Sequence, residues 1–403
     1  HDHKYDPISQ REFYEFYALF NNVPETAHVG NADKLADKPF VKVPSAAQRK
    51  QMEWHRGGIA ELEKKPEAEQ QLNAARKALA ALGQAAPTSM VMGELSPARK
   101  TFVLSRGQYD QPSDVEVSAG LPAALGQWLA GAPRNRLGLA RWLTSREQPV
   151  VSRVLVNRIW QRVFGAELVR TPEDFGLQGQ QPTHPELLDW LAVELHDSGW
   201  DLKHMLRLMV NSRTFRQGSA LRDRVNDPEN KLWARGPHYR LDAEVLRDIA
   251  LWASGLLDPH MGGEGVKPYQ PAGLWKALAH PGSNTKNYVR DNGQRLYRRS
   301  LYVYWKRTSP HPMMTLFDAP SRESSCVQRS RTNTPLQALG LLNETQRIEM
   351  ARMFAERLLK ERDTDTERLD LLFTLLACRE PSAAERDACA KLLQSMRNRY
   401  RSE

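Results

Sequence analysis

The sequence predicts a mainly α fold: a multi-helix domain with a small β component and long ordered loops. Apolar residues recur at helical spacing at Leu137, Ala140 and Leu143, and again over residues 151–163. Several apolar runs follow a Ser or Thr that has Glu or Gln three positions later, the pattern of a capping box. Only short segments are rich in β-branched and aromatic residues, so the predicted strands are few.

Length and composition indicate a globular protein with more than one packed unit. The chain has 403 residues, of which 40% are hydrophobic and 26% are charged, proportions typical of globular proteins. It is too long for one ordinary core. No apolar run approaches the roughly 18 residues that span a bilayer, so we expect no membrane span. The chain opens on His and lacks a signal-peptide pattern, which indicates a fragment or a processed form.

Several elements are predicted before residue 120. Residues 9–12, Ser-Gln-Arg-Glu, form a capping box ahead of an aromatic helix. Residues 45–48 start a second helix and a third is expected over residues 67–82, so these two should form a helical hairpin. The segments 101–104 and 115–117 predict a pair of strands around a turn.

The middle of the chain is predicted to be helical. Gly165 and Gly199 are placed to end helices, because glycine adopts the left-handed conformation without strain. Residues 171–172, Thr-Pro, and 183–185, Thr-His-Pro, both match helix starts. His184 is therefore interpreted as a helix-start residue and not as a catalyst.

The carboxyl-terminal region is predicted to close with a helical hairpin whose second helix starts with a capping box at Ser382 and Glu385. The three cysteines, Cys326, Cys378 and Cys389, form no C-x-x-C pair. Cys389 falls about six residues into its helix, roughly 9 Å along the axis, which is too far from a residue beside the turn for a disulfide. We expect Cys378 and Cys389 to be small core residues.

The stretch 297–343 has the densest mixture of aromatic, basic and turn residues in the chain. Residues 301–305, Leu-Tyr-Val-Tyr-Trp, predict a short strand because they are β-branched and aromatic. Asp318 begins a predicted turn. Residues 334–337, Thr-Pro-Leu-Gln, predict a helix that starts with proline at its first position and a capping box.

Positive charge is concentrated over residues 292–335. This segment has eight Lys and Arg residues against two acidic ones, in a chain whose formal net charge is +9. Arginine presents a planar fork that matches carboxylates, sulfates and phosphates, so Arg322, Arg329 and Arg331 are candidates for an anion or polar-ligand site. The alternative is that these arginines attach irregular loops to helix carbonyls and to neighbouring carboxylates.

Residues 257–296 predict a long loop, because glycine and proline interrupt every apolar run. Such a loop in a compact protein is usually functional or disordered. Its aromatic faces and amides suit a sugar, with Trp275 and Tyr288 as ligand-binding candidates, although ordinary packed loops contain the same side chains. If the loop forms a pocket, we expect it to meet Tyr304, Asp318 and Arg322 there.

Catalytic residues are harder to select, because the sequence contains no nucleophile elbow, zinc helix, Walker loop or dinucleotide fingerprint. A glycosidase needs only two carboxylates about 5 to 10 Å apart. The candidate carboxylates are Glu264, Asp291, Asp318 and Glu323, with His280 as a further catalytic candidate.

The chain resembles a known family. The resemblance is carried by FDAPSRE, R-x-R-T-N-T-P-L-Q-A-L and LLN, preceded by NRLGLARWLTS, VNRIWQRVFGAELVRTPEDFG, THPELLDWLA, MVNSRTFRQ and YRLDAEVLRD. These motifs cover most of residues 134–345. They resemble the C-terminal domain of unknown function of exported proteins from planctomycetes and related bacteria, where the domain follows a c-type cytochrome domain and a second domain of unknown function.

With this resemblance the chain divides into four expected segments. Residues 1–23 would end a preceding, haem-associated domain, and residues 24–132 would form the helical hairpin and a small β connector. Residues 133–360 would form the core domain of the family. Residues 361–403 would form the terminal helical hairpin.

The resemblance also implies a cofactor. In the family the string HDHK commonly follows two cysteines in a C-x-x-C-H arrangement, the attachment signature of haem c. His1 would then be the axial ligand of the haem iron if those cysteines precede it, with His3 as a second cofactor-binding candidate. Three alternatives stay open: His1 and His3 bind a divalent metal with Asp2, are a remnant of an expression sequence, or form a polar chain start.

Three functional classes follow. The resemblance implies the C-terminal part of an exported, periplasmic or extracellular protein linked to c-type haem, an oxidoreductase or electron-transfer component in complex carbohydrate breakdown, with a redox partner or haem domain. The alternative is a non-catalytic glycan-binding or assembly module whose partner is a polysaccharide. Nucleic acid binding is disfavoured, because the positive charge lies among strand, turn and cap signals and not on a continuous basic helix.

Overall fold

A computed structural model describes residues 3–24, 40–221, 225–283 and 285–402. About half of the chain, 49%, is helical, and the described residues contain only two small two-stranded sheets. The predicted mainly α class with a small β component is therefore confirmed. Among the described residues, no helix is long and apolar enough to cross a membrane.

The chain forms two compact units, residues 1–157 with 174–205 and residues 158–173 with 206–403. The expected segment 24–132 falls in the first unit and 361–403 in the second, while 133–360 contributes to both. The elements in chain order are α1 Gln10–Asn21, β1 Phe40–Lys42, α2 Ala46–Leu62, α3 Glu69–Ala85, β2 Thr88–Met90, β3 Thr101–Leu104, β4 Pro112–Val117, α4 Arg136–Leu143, α5 Val151–Phe164, α6 Pro185–Asp197, α7 Leu202–Asn211, α8 Ala243–Ala253, α9 Leu274–Leu278, α10 Pro312–Leu316, α11 Pro335–Asn343, α12 Thr345–Glu361, α13 Asp365–Ala377 and α14 Ala383–Ser402.

The first unit is built around α1 and the strand pair β3–β4. The predicted capping box of α1 is present, with Ser9 and Glu12 each accepting from the other's backbone. The predicted strands pair antiparallel, with Thr101 opposite Val117. The predicted hairpin of α2 and α3 is also confirmed. It contains no fully buried described residue within its two helices, so its two helices are held mainly by each other.

The predicted helix ends at Gly165 and Gly199 are confirmed, with φ values of +80° and +66°. At Gly165 a Cβ atom would also lie 2.2 Å from the ring of Tyr239, so a side chain has no room there. The helix start predicted at Thr171-Pro172 is wrong, because that segment forms a turn. A few residues on, Asp174 Oδ1 accepts from the Gly176 amide at 2.8 Å, and this local side-chain bond favours a turn over a helix.

In the second unit, helices pack around two apolar clusters. One joins Phe354 and Leu358 of α12 to Ala253 of α8, with leucines of α13 against them. The other joins Val303 to Phe317, beside α10. The irregular segment between α8 and α10 carries six of the predicted site residues, namely Glu264, Trp275, His280, Tyr288, Asp291 and Tyr304.

A buried arginine on α8 organises that irregular segment. Arg247 is 6% exposed and donates to the carbonyls of Arg298 and Leu296, both at 2.8 Å. It also donates to Gln346 Oε1 at 2.8 Å and to the Ser300 hydroxyl at 3.2 Å. Burial lowers the pKa of Arg247 to about 10, and the guanidinium stays charged at neutral pH.

The strand predicted over residues 301–305 is wrong. Ser300–Tyr302 is a 3-10 turn, and Val303 forms only a single bridge with Val266. The Ser300 amide donates to the Asp248 carboxylate at 2.7 Å. The amides of Tyr302 and Val303 bond back to the turn, and the Tyr304 amide bonds to the Val266 carbonyl, so these residues form no extended ladder and do not enter a sheet.

The cysteines differ in part from the prediction. Cys378 is exposed and lies just after α13 with a φ of 52°, so it is not a core residue. The chain must turn sharply there to begin α14. Cys389 is half-buried, and all three cysteines are free thiols.

Helix α11 has its polar and apolar faces exchanged. The predicted capping box of Thr334 and Gln337 is present. Gln337 is only 5% exposed, and its amide donates to the Leu316 carbonyl at 2.9 Å. In contrast, Leu339 is 55% and Leu342 70% exposed. The polar side chain is thus the one that attaches this helix to the second unit.

This exchange predicts an unusual order of stability losses. Gln337→Ala should lower the free energy of unfolding by about 1–3 kcal/mol, because it leaves the Leu316 carbonyl without its donor. Leu339→Ala should cost less than about 0.5 kcal/mol, since that side chain is largely in solvent. Denaturant unfolding of both variants measures the two losses. A larger loss of stability for Leu339→Ala than for Gln337→Ala would contradict the exposure of Leu339 and the burial of Gln337.

Candidate functional site

Three predicted ligand-binding residues come together in the second unit. Trp275 on α9 packs edge-on against Tyr288, with ring centroids 4.9 Å apart, and lies 5.5 Å from Tyr304. Trp275 is 2% exposed, whereas Tyr304 is 39% exposed. A ligand can therefore reach the Tyr304 ring, and the buried Trp275 indole packs behind that ring.

Two lysines lie against the same rings. Lys306 Nζ is 4.8 Å from the Trp275 ring centroid. Lys267 Nζ is 5.8 Å from Trp275 and 5.4 Å from Tyr304. These five residues, Lys267, Trp275, Tyr288, Tyr304 and Lys306, are called the Trp275 cluster below.

The two lysine charges of the Trp275 cluster are not neutralised by a carboxylate. Lys306 Nζ donates to the Thr285 carbonyl at 2.8 Å, and neither lysine forms an ion pair with any residue that the structure describes. Both side chains are half-buried. An ammonium group on an aromatic face gains roughly 0.5–1 kcal/mol where solvent has access, which holds it in place and leaves its charge available to an anion.

Two arginines of the same segments are placed similarly. Arg290 lies 4.7 Å from the Tyr269 ring centroid, and Arg322 lies 4.4 Å from that of Trp305. Both arginines are exposed. Of the predicted arginine candidates, Arg322 is thus the one that faces solvent over an aromatic ring.

The other two predicted arginines attach loops. Arg329 forms a two-pronged contact with Glu244 of α8, at 2.6 and 3.2 Å. Arg331 donates to the Gly165 carbonyl at 2.7 Å and lies over the Tyr239 ring. These contacts turn both guanidinium groups toward the protein and away from a ligand, although the buried Arg331 Nε has no hydrogen-bond partner among the described residues.

The candidate acids are also occupied or exposed. Burial by itself raises the pKa of Asp318, but hydrogen bonds from Thr332 and the charge of Arg240 outweigh it and lower that pKa. Asp291 pairs with Arg295 at 3.3 Å. Glu323 pairs with Arg307 at 3.4 Å. Glu264 and His280 are both exposed, and His280 accepts a hydrogen bond from the Gly282 amide at 3.2 Å.

A tyrosine–glutamate group beneath the loop was not predicted. Glu349 Oε1 on α12 accepts from the Tyr297 hydroxyl at 2.7 Å and from the Tyr269 hydroxyl at 3.4 Å. Burial raises the pKa of Tyr297, and the adjacent Glu349 raises it further. The two tyrosines are close only because the loop returns to α12, which no local sequence pattern indicates.

His311 was not predicted to carry a role either. It is buried, and its Nε2 lies 2.7 Å from the Tyr269 carbonyl, to which it donates. Its Nδ1 is buried and has no hydrogen-bond partner among the described residues. Burial lowers the pKa of His311 to about 4, so the imidazole is neutral at pH 7. The only sequence signal is its position between two prolines.

Of the predicted haem ligands, His1 lies outside the described residues. His3 Nδ1 is 3.0 Å from the Asp6 carboxylate. Within the part of the chain that the structure describes, no three His, Cys, Asp or Glu side chains are grouped to hold a metal ion.

The fold and the stacked cations define a mainly α protein with a positively charged aromatic surface on irregular loops. The chain belongs to the PSD1 family, described as a protein of unknown function (DUF1553), whose model matches residues 135–393. This match confirms the resemblance to a domain of unknown function, while the cytochrome and planctomycete context stays a prediction. No curated protein and no solved structure matches the chain.

The buried His311 predicts a pH-dependent stability. Its folded pKa of about 4 lies below the ordinary value of 6.5, so the unfolded chain binds the proton first. The stability that the neutral imidazole contributes is complete above pH 6.5 and is lost as the pH falls toward 4.

The expected slope is about 1.4 kcal/mol per pH unit within that window. His311→Gln keeps an amide that can donate to the Tyr269 carbonyl and should remove the slope. Urea unfolding at pH 7 and pH 5 of the wild type and the variant measures it. An identical slope in both proteins would rule out His311 as its source.

Proposed function

We propose that this protein is a non-catalytic binding module for an acidic polysaccharide, and that the Trp275 cluster is its binding site. The observation that carries the proposal is the pair of lysines, Lys267 and Lys306, that converge on one aromatic wall without a carboxylate partner among the described residues. A carboxylate or sulfate group on a sugar would supply the missing negative charge.

The geometry supports a ligand that has both charge and an apolar face. The Tyr304 ring is the exposed part of the Trp275 cluster, and its amphipathic character suits the face and hydroxyl groups of a sugar ring. Lys267 Nζ lies 5.4 Å from this ring. A sugar stacked on Tyr304 would therefore present an equatorial or exocyclic acid group within reach of Lys267.

The placement of the acids favours binding over turnover. Asp318 is tied to Arg240 and Thr332, and Asp291 and Glu323 are paired with arginines. A pair of carboxylates committed to such contacts is poorly suited to proton transfer, which requires a group free to change its protonation state.

The first test replaces the two lysines. Lys267→Gln and Lys306→Gln should each weaken the binding of an oligogalacturonate about tenfold, the equivalent of about 1.4 kcal/mol for one charge-assisted contact. Isothermal titration calorimetry at low and high salt measures the affinity, which should fall as salt rises.

Lys77→Gln on α3, an exposed lysine, is the matched control and should bind as the wild type does. Equal affinity of the wild type for an uncharged oligosaccharide of the same length would contradict an acid-binding site. So would full binding by the Lys267→Gln/Lys306→Gln double variant.

A second function is favoured by the amino-terminal sequence. We propose that the chain is the C-terminal part of an exported protein linked to c-type haem, in which an oxidoreductase or electron-transfer component acts on complex carbohydrate. The amino-terminal string HDHK supports it, because in the family that the chain resembles this string commonly follows the two cysteines of a haem-attachment motif. The described residues contain no cysteine pair to attach a haem, so the thioether cysteines would have to precede His1.

This second function is tested by absorption spectroscopy of the protein purified with its native upstream sequence from a host that exports it. A Soret band and a reduced spectrum of covalently held haem c would support His1 as a ligand of the iron, and a redox partner would then be sought. A colourless, folded protein would exclude the haem-linked role.

A further inference from the structure

A cavity lies in the second unit. The residues that line it are different from those of the Trp275 cluster. Its volume is about 580 Å³, within the range of roughly 300–1,000 Å³ that small-ligand pockets occupy. Phe164 at the end of α5 and the segment 228–239 supply most of its lining. None of its lining residues was singled out as a ligand-binding candidate from the sequence.

The wall of this cavity contains two residues in the left-handed backbone conformation. Asn230 has a φ of 53° and Trp233 a φ of 52°. Asparagine adopts this left-handed region readily, but a large side chain such as tryptophan rarely does, so the surrounding structure must hold Trp233 there. Such strained residues cluster at ligand sites, where the surrounding structure holds them.

Here the surrounding bonds are identifiable. The Asp227 carboxylate accepts from the amides of Lys231 and Leu232, at 2.8 and 2.7 Å. The Arg235 guanidinium donates to the carbonyls of Asp227 and Pro228, at 2.8 and 2.7 Å. These bonds fix the segment in a shape that its local preferences disfavour, and so they fix Trp233 in the cavity wall.

The wall is aromatic and rigid. Trp233 packs edge-on against Phe164, with centroids 5.6 Å apart, and Arg170 lies over its ring. Tyr239, also in the wall, donates its hydroxyl to the Arg162 carbonyl at 3.0 Å. The indole Nε1 of Trp233 is buried and has no partner among the described residues.

The fixed charges around the cavity are already satisfied. Glu229 pairs with Lys231 at 2.8 Å, and Arg235 is occupied by two carbonyls. The lining side chains that make no hydrogen bond within the described residues are the buried Trp233 indole, the exposed Ser219 hydroxyl and the exposed His238 imidazole. The cavity therefore offers aromatic surface and two adaptable polar groups, but no unpaired charge to select an ion.

We propose that this cavity binds a neutral pyranose ring, at a site separate from the Trp275 cluster. The aromatic residues Phe164, Trp233 and Tyr239 provide faces and edges for the apolar side of the ring. Ser219 and His238 provide hydrogen bonds for its hydroxyl groups. A purely apolar or aromatic ligand would make no use of these two polar groups, whereas the hydroxyl groups of a sugar can bond to both.

The test uses the whole chain with the methyl glycosides of glucose, galactose, mannose and xylose as probes, and indole as the aromatic alternative. Saturation-transfer NMR should show signals from the ring protons of at least one glycoside. Ala220→Trp, which places an indole in the cavity from an exposed lining position, should abolish them. Ala390→Trp on α14 is the matched control and should retain them.

His238→Ala should weaken the glycoside about tenfold, as expected for one lost hydrogen bond of about 1.4 kcal/mol. Thermal unfolding followed by circular dichroism shows whether Ala220→Trp is folded, and Ser219→Trp replaces it if it is not. Saturation transfer retained in both folded tryptophan variants, no transfer from any glycoside, or transfer from indole alone would each overturn the proposal. Oligogalacturonate binding is also measured in Ala220→Trp. Because that ligand is proposed to bind the Trp275 cluster, this measurement tests the cluster independently of the cavity.

Discussion

The second unit depends on one buried guanidinium. Arg247 supplies the donors for the carbonyls of Leu296 and Arg298 and for the side chains of Ser300 and Gln346. In a sheet these carbonyls would be satisfied by a neighbouring strand, and a buried carbonyl without any donor costs about 1–3 kcal/mol. The fixed position of α8 thus substitutes for a strand, and the adjoining chain remains irregular without leaving its polar groups unpaired.

Arg298 forms a similar set of bonds to backbone carbonyls. It is 3% exposed and donates to the carbonyls of His260, Gly262 and Glu264. A long loop held in this way becomes a rigid support for side chains. The Trp275 cluster is built on that support, and a rigid support lowers the entropy that binding must overcome.

The positively charged residues of the second unit therefore serve two purposes. Arg247, Arg298 and Arg331 point inward and donate to backbone carbonyls. Lys267 and Lys306 rest on aromatic rings, and no carboxylate of the described residues pairs with them. The first kind holds the fold, while the second leaves positive charge available to a ligand. The net charge and the local excess of positive charge do not distinguish structural arginines from ligand-facing lysines, because residues of both kinds occur in the same stretch of sequence.

The sequence by itself determined the features that depend on neighbouring residues. The capping boxes at Ser9 and Thr334 and the helix end at Gly165 form as predicted, because each involves bonds or torsions within a few positions. Only the tertiary structure decided the fate of residues 301–305, where the Tyr302 carbonyl and the Tyr304 amide pair with Val266, and the burial of Gln337 instead of the leucines beside it. Local patterns record what a residue prefers, whereas long-range contacts decide which preference is met.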